Sequence, residues 1–221
     1  MKKNIVVSTV FLAILGVVGA CSSVPTKTPD GTPIYGIPKI IAKSDGQTPQ
    51  WVDNYAKFAK SHPDRHYFVG VASHVSEEDI GRDEAMASAM AMAASSIKNT
   101  VNNLMIRAIV DDKNSSYSNE LQKDVQDGTL QIAKAKIHGG TVDKYYWVQK
   151  YVQTGPGETV VYRNYYALMS LSNQDYDKTI QDSLTKEYKS VDVPKAKKLV
   201  GDMKHLFLKE KVQAQANAST P

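Results

Sequence analysis

Few residues in this sequence have types and spacing that suit chemistry. His62 and His66 stand four apart, the spacing at which two imidazoles on one helical face can hold a metal ion. Pro63 lies between them, and the run over 66–73 (HYFVGVAS) is aromatic and β-branched. That makes the pair a surface turn entering a strand rather than a metal site. Asp111-Asp112-x-Asn114-Ser115-Ser116 offers hard oxygen ligands for calcium. It lacks the glycine and the terminal glutamate of a calcium loop, so it reads as the end of a helix. Gly155-Pro156-Gly157 has no Lys-Ser/Thr to reach phosphate and metal, and no serine stands in G-x-S-x-G. Met86, Met90 and Met92 are expected to fill core beside their alanines rather than form an adaptable binding surface. No nucleophile, base and orienting group converge in the pattern. The expectation is therefore a non-enzymatic chain with no metal and no cofactor.

The one remaining reactive group is the thiol of Cys21, the chain's single cysteine. It follows a positive start at Lys2 and Lys3 and a mostly apolar run over 5–18. A permanent membrane span needs about 20 apolar residues, so the run is too short. Its proportions are those of a secretory signal: charged start, apolar middle, small residues at the cut. Cleavage between Ala20 and Cys21 removes residues 1–20. Lys2 and Lys3 leave with them and no acid does, so the formal charge of +4 falls to +2. That balance gives no case for nucleic acid. The remaining length can bury a core in one domain with extensions.

Val18-Gly19-Ala20-Cys21 resembles the lipobox of bacterial lipoproteins. The resemblance implies acylation of the Cys21 thiol, cleavage before it and acylation of the new N-terminus, so that a covalent lipid anchors the chain. Several acyl chains hold durably where one binds only reversibly. Ser22, by resemblance to known sorting behaviour, points to the outer membrane; the periplasmic face is the expected side, with surface exposure left open. With Cys21 acylated no thiol is left for disulfides, zinc or nucleophilic attack.

Residues 21–48 carry Pro25, Pro29, Pro33 and Pro38 with several glycines and no sustained period, which reads as a tether. At about 3 Å per residue its reach is at most about 90 Å. Tyr35 to Ile41 is more apolar than a tether requires, which marks it as able to pack back on the domain. The domain is expected over 49–190, opening at Trp51. Its first strand is the aromatic run over 66–73, with Gly70 marking a close backbone approach. Ser76-Glu77-Glu78-Asp79 has the form of a capping box before a long helix over 77–110. The apolar positions of that helix, Met86, Ala89, Ala93, Ile97, Val101, Leu104 and Ala108, recur every three or four residues. They are small early and large late. A more polar helix over 117–138 ends at Gly139-Gly140. Strands over 142–153 and 159–171 flank a turn at 154–158. Tyr145, Trp147 and Tyr151 share one face of the first of these strands; Val142, Tyr146, Val148 and Val152 share the other. Helices follow from Asn173, with Tyr176, Ile180, Leu184 and Tyr188, and over 194–212, with residues 213–221 frayed. The order is β-α-α-β-β-α-α. It predicts an α+β fold with an antiparallel sheet and long helices on one face.

Residues 191–221 form a separate basic extension. Lys195, Lys197, Lys198, Lys204, Lys209 and Lys211, less Asp202 and Glu210, give its helix +4. Such a helix suits an anionic membrane or an acidic partner, or it docks by its apolar stripe and leaves its lysines solvated. Tyr145, Trp147 and Tyr151 form the candidate interaction surface, on strands whose two faces both carry apolar bulk.

The lipobox, the Pro-rich spacer, P-x-W-V at 49–52, YFVGVAS at 67–73, the Ala-rich helix opening Gly81-Arg82-Asp83-Glu84-Ala85-Met86-Ala87 and the ALMSL strand at 167–171 together resemble one family. It is the twenty-kilodalton lipoprotein family of bacterial outer membranes, LPP-twenty. The resemblance covers roughly residues 49–190 and implies a dodecin-like sheet wrapped on a long helix. Its members include surface antigens and FlgP-like flagellar lipoproteins that form rings or disks around the motor. It supplies no catalytic residues to carry over. Two functions stand open on the residues alone: an envelope assembly component that forms homo-oligomers and meets other envelope or flagellar proteins, or a monomeric module that binds cell-wall glycan or a small ligand through Trp147 and the tyrosines. A surface-exposed antigen or adhesin is a further alternative.

Overall fold

The computed structural model describes residues 27–28, 31, 34–112, 117–137, 142–185 and 193–218. The expected signal, Ala20 and Cys21 lie outside the described residues, as do Asn114, Gly139, Gly140 and Tyr188.

Alternation along the strand over Arg65–Val75, β2, sets the architecture. Phe68, Gly70 and Ala72 point to one side and Tyr67, Val69 and Val71 to the other. The second side partners Tyr166 and Leu168 through the strand over Glu158–Ser172, β4. The chain supplies four strands and six helices in the order β1 (Lys39–Lys43), α1 (Gln50–Asp53), α2 (Tyr55–Ser61), β2, α3 (Glu78–Asp111), α4 (Asn119–Ile137), β3 (Val142–Gly155), β4, α5 (Asn173–Thr185) and α6 (Val193–Ala218). The sheet is antiparallel throughout, ordered β1-β3-β4-β2. This is the α+β fold the sequence predicts, with three more elements than the pattern resolves. β1 comes from the segment read as tether and pairs with β3, Lys39 opposite Tyr151. α1 and α2 are too short to show a period.

The long helix α3 lies on the side of Gly70. A Cβ at Gly70 would overlap the Ala85 carbonyl oxygen and the Ala89 amide nitrogen, so the two backbones meet with no side chain between them. Ala85, Ala89 and Ala93 are fully buried along this seam. Past the sheet α3 switches to Ile97, Val101, Leu104 and Met105, which pack with Leu121 and Val125 of α4, Ile180 and Leu184 of α5, and Leu199, Met203 and Phe207 of α6. Burying each such large apolar side chain stabilises by about 1.5–3 kcal/mol. Tyr176 knits the parts together. Its hydroxyl lies 3.0 Å from both Ser96 Oγ and Thr100 Oγ1 of α3, and its ring stacks on His66 at 3.8 Å. The opposite sheet face is closed by α1 and α2, with Trp51 buried against Tyr146, Val148 and Leu168. The long helices thus occupy one face and two short ones the other.

Several local expectations need correction. Ser76 does not cap α3: the N-cap is Glu77, which makes no side-chain cap bond, although Glu78 and Asp79 do place acid in the first turn. A reciprocal cap stands instead at α5, where the Asp175 amide donates to Ser172 Oγ and that hydroxyl donates to Asp175 Oδ2. Val142 does not share the face of Tyr146. A bulge between Val142 and Lys144 shifts the register and turns Val142 toward Tyr165 and Trp147. Met90 packs on the core as expected, but Met92 is 51% exposed. α6 runs to Ala218, through most of the stretch read as frayed. At the hairpin turn Gly157 has φ 77° after Pro156, the conformation glycine supplies without strain.

Two glycines should respond oppositely to alanine. Gly70→Ala must push α3 off the sheet and should cost roughly 3 kcal/mol, the upper range for overpacking. Gly201→Ala meets nothing within 4 Å on exposed α6 and should gain about 0.5–1 kcal/mol from helix propensity. Urea unfolding of the two variants measures both signs.

Candidate functional site

The surface built by Tyr145, Trp147 and Tyr151 exists because α3 covers β2 and β4 more than β3. Tyr145 pairs with Ala167 and Trp147 with Tyr165. Gly81, at the start of α3, sits where a Cβ would overlap the Tyr165 ring. That close seat brings the next residue, Arg82, over Tyr145, with its guanidinium carbon 5.4 Å from the ring centroid. Arg163 lies over Trp147 at 5.1 Å, and its Nη1 donates to Tyr165 Oη at 3.3 Å. Each such cation–π contact at a partly exposed site is worth about 0.5–1 kcal/mol. The Trp147 backbone is fixed from the other side: its amide donates to Ser44 Oγ and its carbonyl accepts from the Ser44 amide, both at 3.0 Å.

Tyr145 remains 39% exposed, Trp147 and Tyr151 are half-buried, and Val161, opposite Tyr151 near the turn, is 49% exposed. The result is an aromatic and apolar strip crossed by two guanidinium groups. The sequence reading gathered the three aromatic residues but not Arg82 and Arg163. Arg163 stands two residues from Tyr165 on the same strand face, and its place diagonal to Trp147 follows from the cross-strand register.

The lysines of α6 are placed differently. The apolar stripe of the helix, Ala196, Leu199, Met203 and Phe207, is buried in the core, so what α6 offers outward is its lysine face. Lys198 binds Asp112 at 2.6 Å, and that hydrogen bond raises the lysine's pKa. Lys211 binds Asp177 of α5 at 2.6 Å. Lys195, Lys197, Lys204 and Lys209 are exposed. Among the described residues no helix is long and apolar enough to cross a membrane.

Neither polar candidate assembles as a ligand set. His62 ends α2, where its Nδ1 donates to the Phe58 carbonyl at 2.9 Å, while His66 stacks on Tyr176. Asp112 accepts from Tyr117 Oη and from Lys198. Among the described residues no group of three His, Cys, Asp or Glu side chains could hold a metal ion. Comparison with known protein families, curated proteins and solved structures finds no match for this chain.

Burial lowers the His66 pKa below its ordinary 6.5; Asp177 opposes the shift and Lys211 reinforces it. The unfolded chain therefore binds more protons than the folded one below pH 6.5. The contribution is complete above that pH and is lost as pH falls through it. Urea midpoints should drop between pH about 7.5 and about 5, and His66→Gln should make that drop shallower. An identical drop in the variant would assign it to other groups.

Proposed function

We propose that this chain is a non-enzymatic lipoprotein of a bacterial outer membrane. In this reading Cys21 carries the lipid, the part of the expected 21–48 tether that precedes the pairing of Gly36 with Gln153 links it to the fold, and the folded part is a structural component of an envelope assembly built from copies of itself and neighbouring proteins. The flagellar motor is the setting that the LPP-twenty resemblance offers. The observation that carries the reading is the strip of Tyr145, Trp147 and Tyr151 with Arg82, Arg163 and the half-exposed Val161. Aromatic residues and arginine are the types enriched at the energetic centres of protein–protein contacts. The strip lies on paired strands of a four-stranded sheet, so a partner meets a preformed surface and little ordering entropy is lost on docking.

The glycan-binding alternative draws less support. A sugar ring stacks on an aromatic face, and Arg163 already lies over the face of Trp147. A ligand would have to displace that guanidinium and its bond to Tyr165. The basic helix α6 fits the assembly reading as a second contact, with an acidic partner or an anionic membrane, made by its lysine face alone.

Expression of the full chain in a diderm bacterium grown with labelled palmitate tests the anchor. Label should enter the wild-type chain, fractionate with outer membrane and vanish in Cys21→Ser. A photo-crosslinking residue placed at Tyr145 should trap adducts larger than the chain, and Arg163→Glu should reduce them several-fold. Palmitate labelling that survives Cys21→Ser, or crosslinking that yields only the monomer, would overturn the corresponding half of the reading.

A further inference from the structure

One face of the sheet is covered only in part. α1 and α2 seal it over Tyr146, Val148 and Leu168 through Trp51 and Phe58. Toward the hairpin turn that cover ends. Val160, opposite Val152 on the same face, stays 47% exposed. At the adjoining edge β1 breaks its alternation. Ile40 pairs with Lys150 on this face, Ala42 pairs with Gln149, and Ile41 between them is the extra residue of a bulge. Strict alternation would send the two isoleucines to opposite faces; here both are uncovered, Ile40 54% and Ile41 55% exposed. Lys39, Lys43 and Lys150 stand around the pair, against two acids in the flanking turns, Asp45 and Glu158.

The tether meets the sheet beside this patch. The Gly36 amide donates to the Gln153 carbonyl at 2.9 Å, and Tyr35, one residue earlier, is 38% exposed. Residues 22–35, fourteen in all, separate this point from Cys21. At ~3.1 Å per residue they span at most about 45 Å. A link of that length sets the patch at an effective concentration in the millimolar range against the surface that holds the lipid. A contact too weak to hold a free protein is then enough to orient an anchored one.

We propose that Tyr35, Ile40, Ile41 and Val160 rest on the phospholipid leaflet that carries the anchor. The inference rests on the lipid at Cys21 proposed above and adds which side of the fold faces the bilayer. The make-up of the patch favours lipid over a protein partner. Bare isoleucines on a sheet edge invite pairing with other chains, and a leaflet covers them with no strand added. Tyrosine is enriched at the membrane interface. Lysine stems lie along apolar surface and keep their ammonium groups in water, which here sets Lys39, Lys43 and Lys150 at the level of anionic headgroups.

The lysine face of α6 stands elsewhere. α3 runs away from the hairpin turn, with Gly81 on Tyr165 at its start and Asp112 at its end bound to Lys198. The two ends lie about 45 Å apart along the helix. With the patch on the leaflet, the first turns of α6 are held away from it.

The test uses the full chain, lipidated in a diderm bacterium, purified in detergent and reconstituted in vesicles of phosphatidylethanolamine and phosphatidylglycerol. Once Cys21 is acylated the chain has no other thiol. One introduced cysteine, Val160→Cys on the patch or Lys197→Cys on α6, then carries a bimane label. Brominated lipid should quench the Val160 label about threefold more than the Lys197 label. Ile40→Asp/Ile41→Asp should remove that difference. Ile40→Thr/Ile41→Thr keeps β-branched residues in the strand and should reduce it about twofold, with palmitate uptake and near-ultraviolet dichroism unchanged. Equal quenching at the two sites, or quenching at Val160 that survives both double substitutions, would overturn the seat; palmitate on Cys21 would leave the lipoprotein reading standing. Stronger quenching at Lys197 would give the membrane contact to α6 and refute the inference. So would shielding of the Val160 label from aqueous iodide that rises with protein density without quenching by brominated lipid, which would give the patch to a second copy. A wild-type chain that takes up no palmitate would lose the anchor and the seat together.

Discussion

At Gly70 the backbone of β2 and the backbone of α3 meet with no side chain between them, and the rest of the molecule depends on that contact. It is possible only because the strand supplies a glycine and the helix answers with Ala85, Ala89 and Ala93. Any larger residue on either side would lift the helix from the sheet and open the seam to water. Close packing here fixes the height and direction of α3. Gly81 makes a second close seat on Tyr165 near the helix start. Two points of contact define a line, so α3 leaves the sheet on one path. Along that path its face enlarges to Ile97, Leu104 and Met105 and gathers α4, α5 and α6 around it.

The same placement decides what stays exposed. A helix held over β2 and β4 cannot also cover β3, so Tyr145 and the part of Trp147 that does not pack on Ala85 and Tyr165 are left to be shielded by Arg82 and Arg163. A guanidinium covers a ring without removing it from water. The surface therefore stays solvated in the free chain and available to a partner. The exposed strip proposed for assembly is thus a consequence of where one helix can sit, and the lysine-bearing side of α6 adds a second surface that faces away from the core.

Much of this could be read from residue patterns where a period ran long enough. The small residues early in α3 announced a close approach by a sheet or another helix, and Pro156-Gly157 between two aromatic runs announced the hairpin. The stripe of α6 was visible too, and the structure gives that stripe to the core, as one of the two stated alternatives expected. Other features lacked a readable signal. β1 is a short strand inside a proline-rich stretch whose pairing with β3 is a long-range event. α1 and α2 are one or two turns each, held by Trp51 and Phe58 rather than by propensity. The bulge at Val142 reverses a face by adding one residue, which strict alternation cannot foresee. The guanidinium covers over Tyr145 and Trp147 needed the cross-strand register.

Native-state amide hydrogen exchange of the full chain tests the primacy of the α3 seam most directly. If the contact at Gly70 organises the fold, amides over 85–94 of α3 and 165–169 of β4 should exchange only through global unfolding, with one common free energy, while α1, α2 and the far end of α6 open at lower cost. Exchange of the α3 segment through an opening that leaves the β4 amides protected would contradict the account, because the sheet would then stand without the helix said to define it.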